Sequence, residues 1–122
     1  MIKNALEGIQ YFREQMNLCR FSEVNRLVAD DFFAVFSLGK ERSIEIYRAE
    51  EYKLGNLEVA KLYEGRNPYW DYKDIENGMR FEDEVIVSSK IDFYLEGSLL
   101  MHALCTEIYR YDDPDWKLAR QY

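Results

Sequence analysis

Histidine occurs once in this 122-residue chain, cysteine twice, and basic residues never cluster. Each shortage excludes something. Cys19 and Cys105 are too few for a disulfide framework, and no Cys-x-x-Cys spacing offers a metal two neighbouring thiolates. With His102 as the only histidine and no cluster of His, Cys or carboxylate ligands in the sequence, neither a metal nor a cofactor is expected. Sixteen Lys and Arg stand against 23 Asp and Glu, a net charge of −7, and the densest positive stretch, Lys40-Glu41-Arg42, is broken by an acid. Nucleic acid is therefore not expected as a partner, because phosphate binding needs grouped cations. The acidic balance reads as a solvated surface. No apolar run approaches the roughly 18 residues of a membrane span, so no membrane partner is expected. Met1-Ile2-Lys3-Asn4-Ala5-Leu6-Glu7 lacks the uninterrupted apolar stretch of a signal peptide. The expectation is a cytoplasmic protein with reduced thiols.

What is present is aromatic and apolar. Apolar residues make up 48% of the chain and aromatics 16%, with ten Tyr and seven Phe. Rings at that density favour strands and a cavity or interface lined by aromatics. The length fits one domain, residues 1–122, large enough to bury roughly two-thirds of its unfolded surface. No repeat, linker or low-complexity segment divides it.

Ala5, Leu6, Ile9, Phe12, Met16 and Cys19 recur at steps of three and four and form the stripe of a first helix, with Arg13, Glu14, Gln15 and Tyr11 mostly off it. Ser22 is a fitting cap for a short second helix that buries Val24, Leu27 and Val28. After Asp30-Asp31, Phe32 to Phe36 reads as a buried strand, and Ser37-Leu38-Gly39-Lys40 as a turn. Ser43 is expected to cap a third helix ending near Gly55-Asn56. From Leu57 the pattern turns strand-like: Leu57, Val59 and Tyr63, then a break at Gly65-Arg66-Asn67-Pro68. Tyr69 to Lys73 is either a short edge strand or a structured loop, and Asn77-Gly78 is a turn signal. The clearest strand is Val85 to Leu95, which alternates well. Glu96-Gly97 turns it into a second long strand, Ser98 to Tyr111, and Asp112-Asp113-Pro114-Asp115 leads to a last one, Trp116 to Tyr122.

The hairpin assigns faces. With Glu96 and Gly97 as turn residues, Phe93 opposes Leu100, Ile91 opposes His102, Ser89 opposes Leu104 and Val87 opposes Thr106, all on an apolar core face. The other face pairs Asp92 with Met101 and Ser88 with Cys105; through the last turn it sets Glu107 beside Arg120 and Tyr109 beside Leu118. That face also carries Tyr111 and Trp116, more apolar surface than a wet sheet face tolerates. A second subunit covering Met101, Tyr109, Tyr111, Trp116 and Leu118 is the simplest expectation, hence a homodimer through the sheet. A β-bulge in either long strand would flip some of these assignments.

Three stretches carry a family resemblance: Val28-Ala29-Asp30-Asp31-Phe32; Phe81-Glu82-Asp83-Glu84-Val85-Ile86-Val87; and Ile108-Tyr109-Arg110-Tyr111-Asp112-Asp113 with Trp116-Lys117-Leu118. Their order resembles the nuclear transport factor 2-like superfamily, the cone-shaped fold shared with ketosteroid isomerase and polyketide-cyclase-like proteins. The resemblance covers most of the chain apart from Glu58 to Gly78. It implies an α+β fold with N-terminal helices in the concavity of a strongly curved antiparallel sheet, a conical pocket between them, and frequent dimerisation. It implies no particular reaction, because this fold hosts many functions.

The catalytic constellations of such enzymes do not assemble. An isomerase-type site needs a carboxylate base and oxyanion donors; Tyr11 offers a hydroxyl, but Ala34 to Leu38 carries no acid and Asp92 faces away from the pocket. A scytalone dehydratase-like site needs two histidines. An epoxide hydrolase-like cluster would draw on Asp31, Arg42 and Asp92, whose spacing does not bring them together. Cys105 and His102, three apart on a strand, point to opposite faces.

The sequence therefore reads as a non-catalytic, small-molecule-binding domain for a hydrophobic ligand, with a mostly apolar pocket. The expected lining is Tyr11, Phe12, Met16, Phe32, Phe36, Ile91, Phe93, Leu100, His102 and Leu104. Each aromatic also fits a plain core role, and His102 fits either a polar anchor or a core histidine satisfied by a neighbour. Tyr63 to Tyr72 departs from the family pattern and reads as a pocket lid, a partner surface or a packed edge insertion. The alternatives are an isomerase, cyclase or dehydratase acting on a small hydrophobic substrate, and a protein-association module using the outer sheet face.

Overall fold

The stripe of the first helix decides how the chain packs. In the computed structural model, which describes residues 2–38 and 43–122, helix α1 (Ile2–Asn17) turns Ala5, Ile9, Phe12 and Met16 into the core. At Gly8 it comes so close to the sheet that a Cβ there would lie 2.9 Å from the Cβ of Trp116. Helix α2 (Phe21–Arg26) follows, then strands β1 (Val28–Leu38) and β2 (Ser43–Arg48), helix α3 (Ala49–Leu62), and strands β3 (Pro68–Phe81), β4 (Glu84–Leu95), β5 (Ser98–Asp112) and β6 (Asp115–Gln121). The six strands form one sheet in the order β2-β1-β6-β5-β4-β3. All neighbours are antiparallel except β1 and β6, which run parallel. The three helices pack against this sheet, which does not close on itself, so the cone stays open between its two edge strands.

Five local expectations fail: the caps at Ser22 and Ser43, the helix stop at Gly55-Asn56, the strand from Leu57 and the turn at Asn77-Gly78. Ser22 lies inside α2, whose cap position is Arg20 with no side-chain cap bond. Ser43 starts β2 rather than a helix, because residues 43–48 gain a full antiparallel ladder with β1. Helix α3 begins only after Arg48, whose amide donates to Glu51 at 3.2 Å, and it runs on through Gly55, Asn56, Leu57 and Val59. Asn56 is kept in the helix by tertiary bonding: its side-chain amide donates to Asn25 Oδ1 at 2.9 Å. Asn77-Gly78 makes no turn; both lie in β3, opposite Val87 and Ile86. Cross-strand pairing of a long ladder outweighs the local turn preference there. Tyr69 to Lys73 takes the edge-strand alternative. The turn expected at Gly39-Lys40, and Arg42, lie outside the described residues.

Glu96 and Gly97 do form the two-residue hairpin, at φ +53° and +83°, as a primed turn demands. One residue later the register departs from expectation. Leu95 opposes Ser98 and Tyr94 opposes Leu99, but Phe93 opposes Met101, so Leu100 is a bulge. A single extra residue sends every later side chain of β5 to the other face. A second irregularity, at Ala119, sets Glu107 against Gln121 while Tyr109 keeps Leu118.

Candidate functional site

The bulge at Leu100 exchanges the two faces of β5, and with them most of the expected site. His102 is 62% exposed and stands on the outer face, paired with Asp92. Leu100 and Leu104, 60% and 72% exposed, are likewise outward. None of the three lines an interior pocket. Conversely Tyr109, Trp116 and Leu118 are buried within this chain against the helices, so they offer nothing to a second subunit. Met101 and Tyr111 are exposed but share the inner side with their partners Phe93 and Trp116. Phe12, Met16 and Phe32 belong to the packed core, Phe36 stacks on Tyr47, and Ile91 is buried. Phe93 sits between Trp70 and Tyr63, with ring centroids at 4.8 and 5.3 Å. Tyr11 is at the surface, donating its hydroxyl to Glu23 at 2.6 Å. Asp31 pairs with Arg110 at 2.9 Å, far in chain and role from Asp92.

The same bulge turns a carboxylate inward. Glu107 on β5 is 1% exposed and lies where α1, β3, β4 and β6 converge. Gln121 Nε2 donates to its Oε2 at 3.0 Å, and the Tyr109 hydroxyl donates to Oε1 at 3.4 Å. Arg13 reaches in from α1, its Nη2 at 3.9 Å from Glu107 and 2.9 Å from Asp74 on β3. The second guanidinium nitrogen also donates to Asp74, at 3.1 Å. Ser89 on β4 closes this ring: it accepts from Arg13 at 3.2 Å and donates to Asp74 at 2.9 Å. The guanidinium lies over the Tyr72 ring, 4.5 Å from its centroid. Its Nε is buried and has no hydrogen-bond partner.

The electrostatics follow from burial. Burial holds the Glu107 carboxyl above the usual range, and the donors Arg13, Gln121 and Tyr109 offset this only in part. Burial and then Glu107 push the Tyr109 and Tyr72 hydroxyls well up. Cys105, on the same inner face, is pushed up to about 12 by burial and by Glu107, so it is an inert thiol. Burial works against the charge on Arg13, but Asp74, Tyr109 and Glu107 hold it protonated. Among the described residues no group of three or more His, Cys, Asp or Glu side chains is placed to hold a metal ion.

Of this cluster only Arg13 and Tyr72 reach the surface gap between α1 and the β3 edge. A groove of about 630 Å³ there is lined by Gln10, Arg13, Glu14, Asn17, Leu18, Trp70 and Tyr72, among others. Asn17 fixes its wall, accepting from the Trp70 amide at 2.7 Å and donating to the Trp70 carbonyl at 3.0 Å. A smaller groove of about 410 Å³, lined by Cys19, Ala60, Tyr63 and Pro68, lies between the ends of α1 and α3.

Comparison with solved structures shows the fold. The chain is similar to a putative scytalone dehydratase from Novosphingobium aromaticivorans, with a TM-score of 0.76 and 13% identity over 98% of this chain and 80% of that one. It is similar to an NTF-2-like protein of unknown function from Shewanella oneidensis, with a TM-score of 0.70 and 13% identity over 98% and 93%. A putative calcium/calmodulin-dependent protein kinase II association domain from Thiobacillus denitrificans gives a TM-score of 0.69 and 14% identity over 97% and 89%. No protein-family model matches the chain, and a comparison with curated proteins finds no match. The architecture is the nuclear transport factor 2-like cone. No helix is long and apolar enough to cross a membrane among the described residues.

Proposed function

We propose that this cone is a small-molecule-binding domain whose ligand seats in the groove between α1 and β3 with an acceptor oxygen on Arg13. The observation that carries this reading is the Arg13 Nε, a buried donor without a partner, on a residue that lines the groove. A buried donor left unmade is costly, and a ligand carbonyl or carboxamide oxygen satisfies it once the Tyr72 ring over the guanidinium moves aside. Arg13 is already neutralised by Asp74, which favours a neutral acceptor over a second anion. Trp70 and Tyr72 supply apolar surface for a flat body, and the groove has an ordinary size for a small ligand. The pocket of this proposal is thus polar at its centre rather than mostly apolar. Two-dimensional NMR with benzamide and acetophenone as probes tests it. Shifts are expected at Gln10, Asn17, Trp70 and Tyr72, and Arg13→Lys, which keeps the charge but loses Nε, weakens binding about tenfold. Shifts confined to other residues, or binding indifferent to Arg13→Lys, would sink the proposal.

A second reading, an enzyme of isomerase, cyclase or dehydratase type, is favoured by Glu107 alone. A carboxyl held up by burial beside the Tyr109 hydroxyl is suited to proton transfer.

The reading extends to a second copy of the chain on the outer sheet face. Leu100 and Leu104 are bare there, and Tyr69 is half exposed beside Tyr94. Lys90, without an ion-pair partner among the described residues, shares this face with Asp71 and Asp92. The face thus carries both signs of charge around bare apolar side chains, as a self-complementary twofold contact requires. Sedimentation at micromolar concentration is expected to give a dimer that Leu104→Lys dissociates; a monomeric wild-type mass would refute it.

A further inference from the structure

The edge of the sheet beyond the groove carries hydrogen-bonding groups that the fold leaves unused. Because Asn17 takes both the amide and the carbonyl of Trp70, those two groups point away from β4. Antiparallel ladders alternate, so the residues of β3 opposite the same set of β4 positions point the same way. Trp70 opposes Phe93 and Asp74 opposes Ser89; beyond the bulge at Ile75, Asn77 opposes Val87 and Met79 opposes Val85. Asn77 and Met79 therefore present their amides and carbonyls to the free edge. Among the described residues no backbone bond outside the ladder reaches them. Helix α1 covers only the first half of β3, through Asn17 and Arg13. The second half also exposes three large apolar side chains, Ile75, Met79 and Phe81.

Edge strands are blunted by shortness, proline, charges, bulges or an overlying element, and the bulges of β3 at Ile75 and Arg80 leave Glu76 to Met79 as the regular stretch of this edge. Here β3 is 14 residues long and its proline, Pro68, is the first of them. The charges beside this edge are one-sided. Lys73 is held by Asp92 and Asp71, and Arg80 lies near Glu84 and over the Phe81 ring. Glu76, Glu82 and Asp83 have no ion-pair partner among the described residues. A second copy paired antiparallel about Asn77 would set Glu76, Glu82 and Asp83 against Gly78, Tyr72 and Asp71, so none of these acids gains a cation, and would set Arg80 against Asp74, which Arg13 already holds. We propose that the second half of β3 is a docking edge for an extended peptide segment carrying Lys or Arg, which adds a seventh strand beside Asn77 and Met79. Main-chain bonds would supply the register, the exposed apolar side chains would pack against alternate residues, and the acids would select the cationic partner.

The test uses the whole chain and an acetylated, amidated nine-residue peptide of alternating valine and lysine. Amide exchange of the protein is expected to slow at Asn77 and Met79 when this peptide is added. Asn77→Pro removes an amide the sheet does not use, so the melting temperature holds while calorimetric affinity falls at least tenfold. A valine–glutamate peptide is expected to show no binding. The proposal is overturned if the cationic peptide leaves the Asn77 and Met79 amides unprotected, or if an N-methylated version binds equally well. It is also overturned if sedimentation shows a dimer that Asn77→Pro dissolves, since a second copy then owns the edge. If Asn77→Pro does not fold, the exchange pattern of the unaltered chain decides.

Discussion

Glu107 sets burial against charge within a single side chain. Its carboxyl is held above the usual range because removal from water outweighs the donors around it. A raised folded value means a contribution to stability that is complete below the ordinary carboxylate range and is lost as pH rises through the raised value. Glu107→Gln removes that loss while keeping an oxygen for Gln121 to donate to. The variant is expected to be more stable than the parent at about pH 8, and the advantage is expected to shrink at about pH 5. Urea denaturation at both values measures it; an unchanging gap would show that Glu107 does not titrate between them. The residue-level logic was hidden from the sequence. Arg13 lies off the apolar stripe of α1, where periodicity treats it as a solvated residue, and alternation without the Leu100 bulge placed Glu107 outside. Within the polar cluster, Ser89 is inward on β4 in both readings, as are its apolar neighbours Val87 and Ile91.

At the scale of elements, what was legible followed from long, clean periodicity. α1 and β4 repeat their apolar positions often enough that no competing period fits. β2, the early part of β3 and the span of α3 were not legible, because their stability comes from partners far along the chain. Gly55 and Asn56 read as a helix stop, yet Asn25 draws Asn56 into the helix. The junction of α1 with β3 is of the same kind. One side chain, Asn17, satisfies two backbone groups of Trp70, work usually done by a neighbouring strand. Asn17→Ala is expected to cost about 1–3 kcal/mol in chemical denaturation, since two partly buried backbone groups lose their partner. A negligible change would mean that water replaces the amide at no loss.

For the whole molecule, the core lies between α1 and the middle of the sheet, where Phe12 meets Tyr109 edge-on at 5.9 Å and Leu118 is fully buried. β6 is the strand that unites the sheet, bonded to β1 on one side and β5 on the other. The Leu118 amide also donates to the Leu27 carbonyl at 2.8 Å, tying β6 to the end of α2. Leu118→Ala is expected to lower stability by about 2–5 kcal/mol through the cavity it leaves. Because both halves of the sheet hang on this strand, hydrogen exchange in β1 and β5 is expected to accelerate together; acceleration in one alone would contradict the arrangement.

The place of β6 also orders events in time. During synthesis β1 and β2 emerge early and β3 to β5 later, each set able to pair with itself as a hairpin or meander. The strand that joins them is read out after all the others, and its contact with Val28 spans 90 positions, from 28 to 118. A nascent chain on the ribosome therefore carries two half-sheets with their joining edges bare until residues 115–121 arrive. Those edges are what a chaperone would find to hold, and what neighbouring nascent chains would find to pair with.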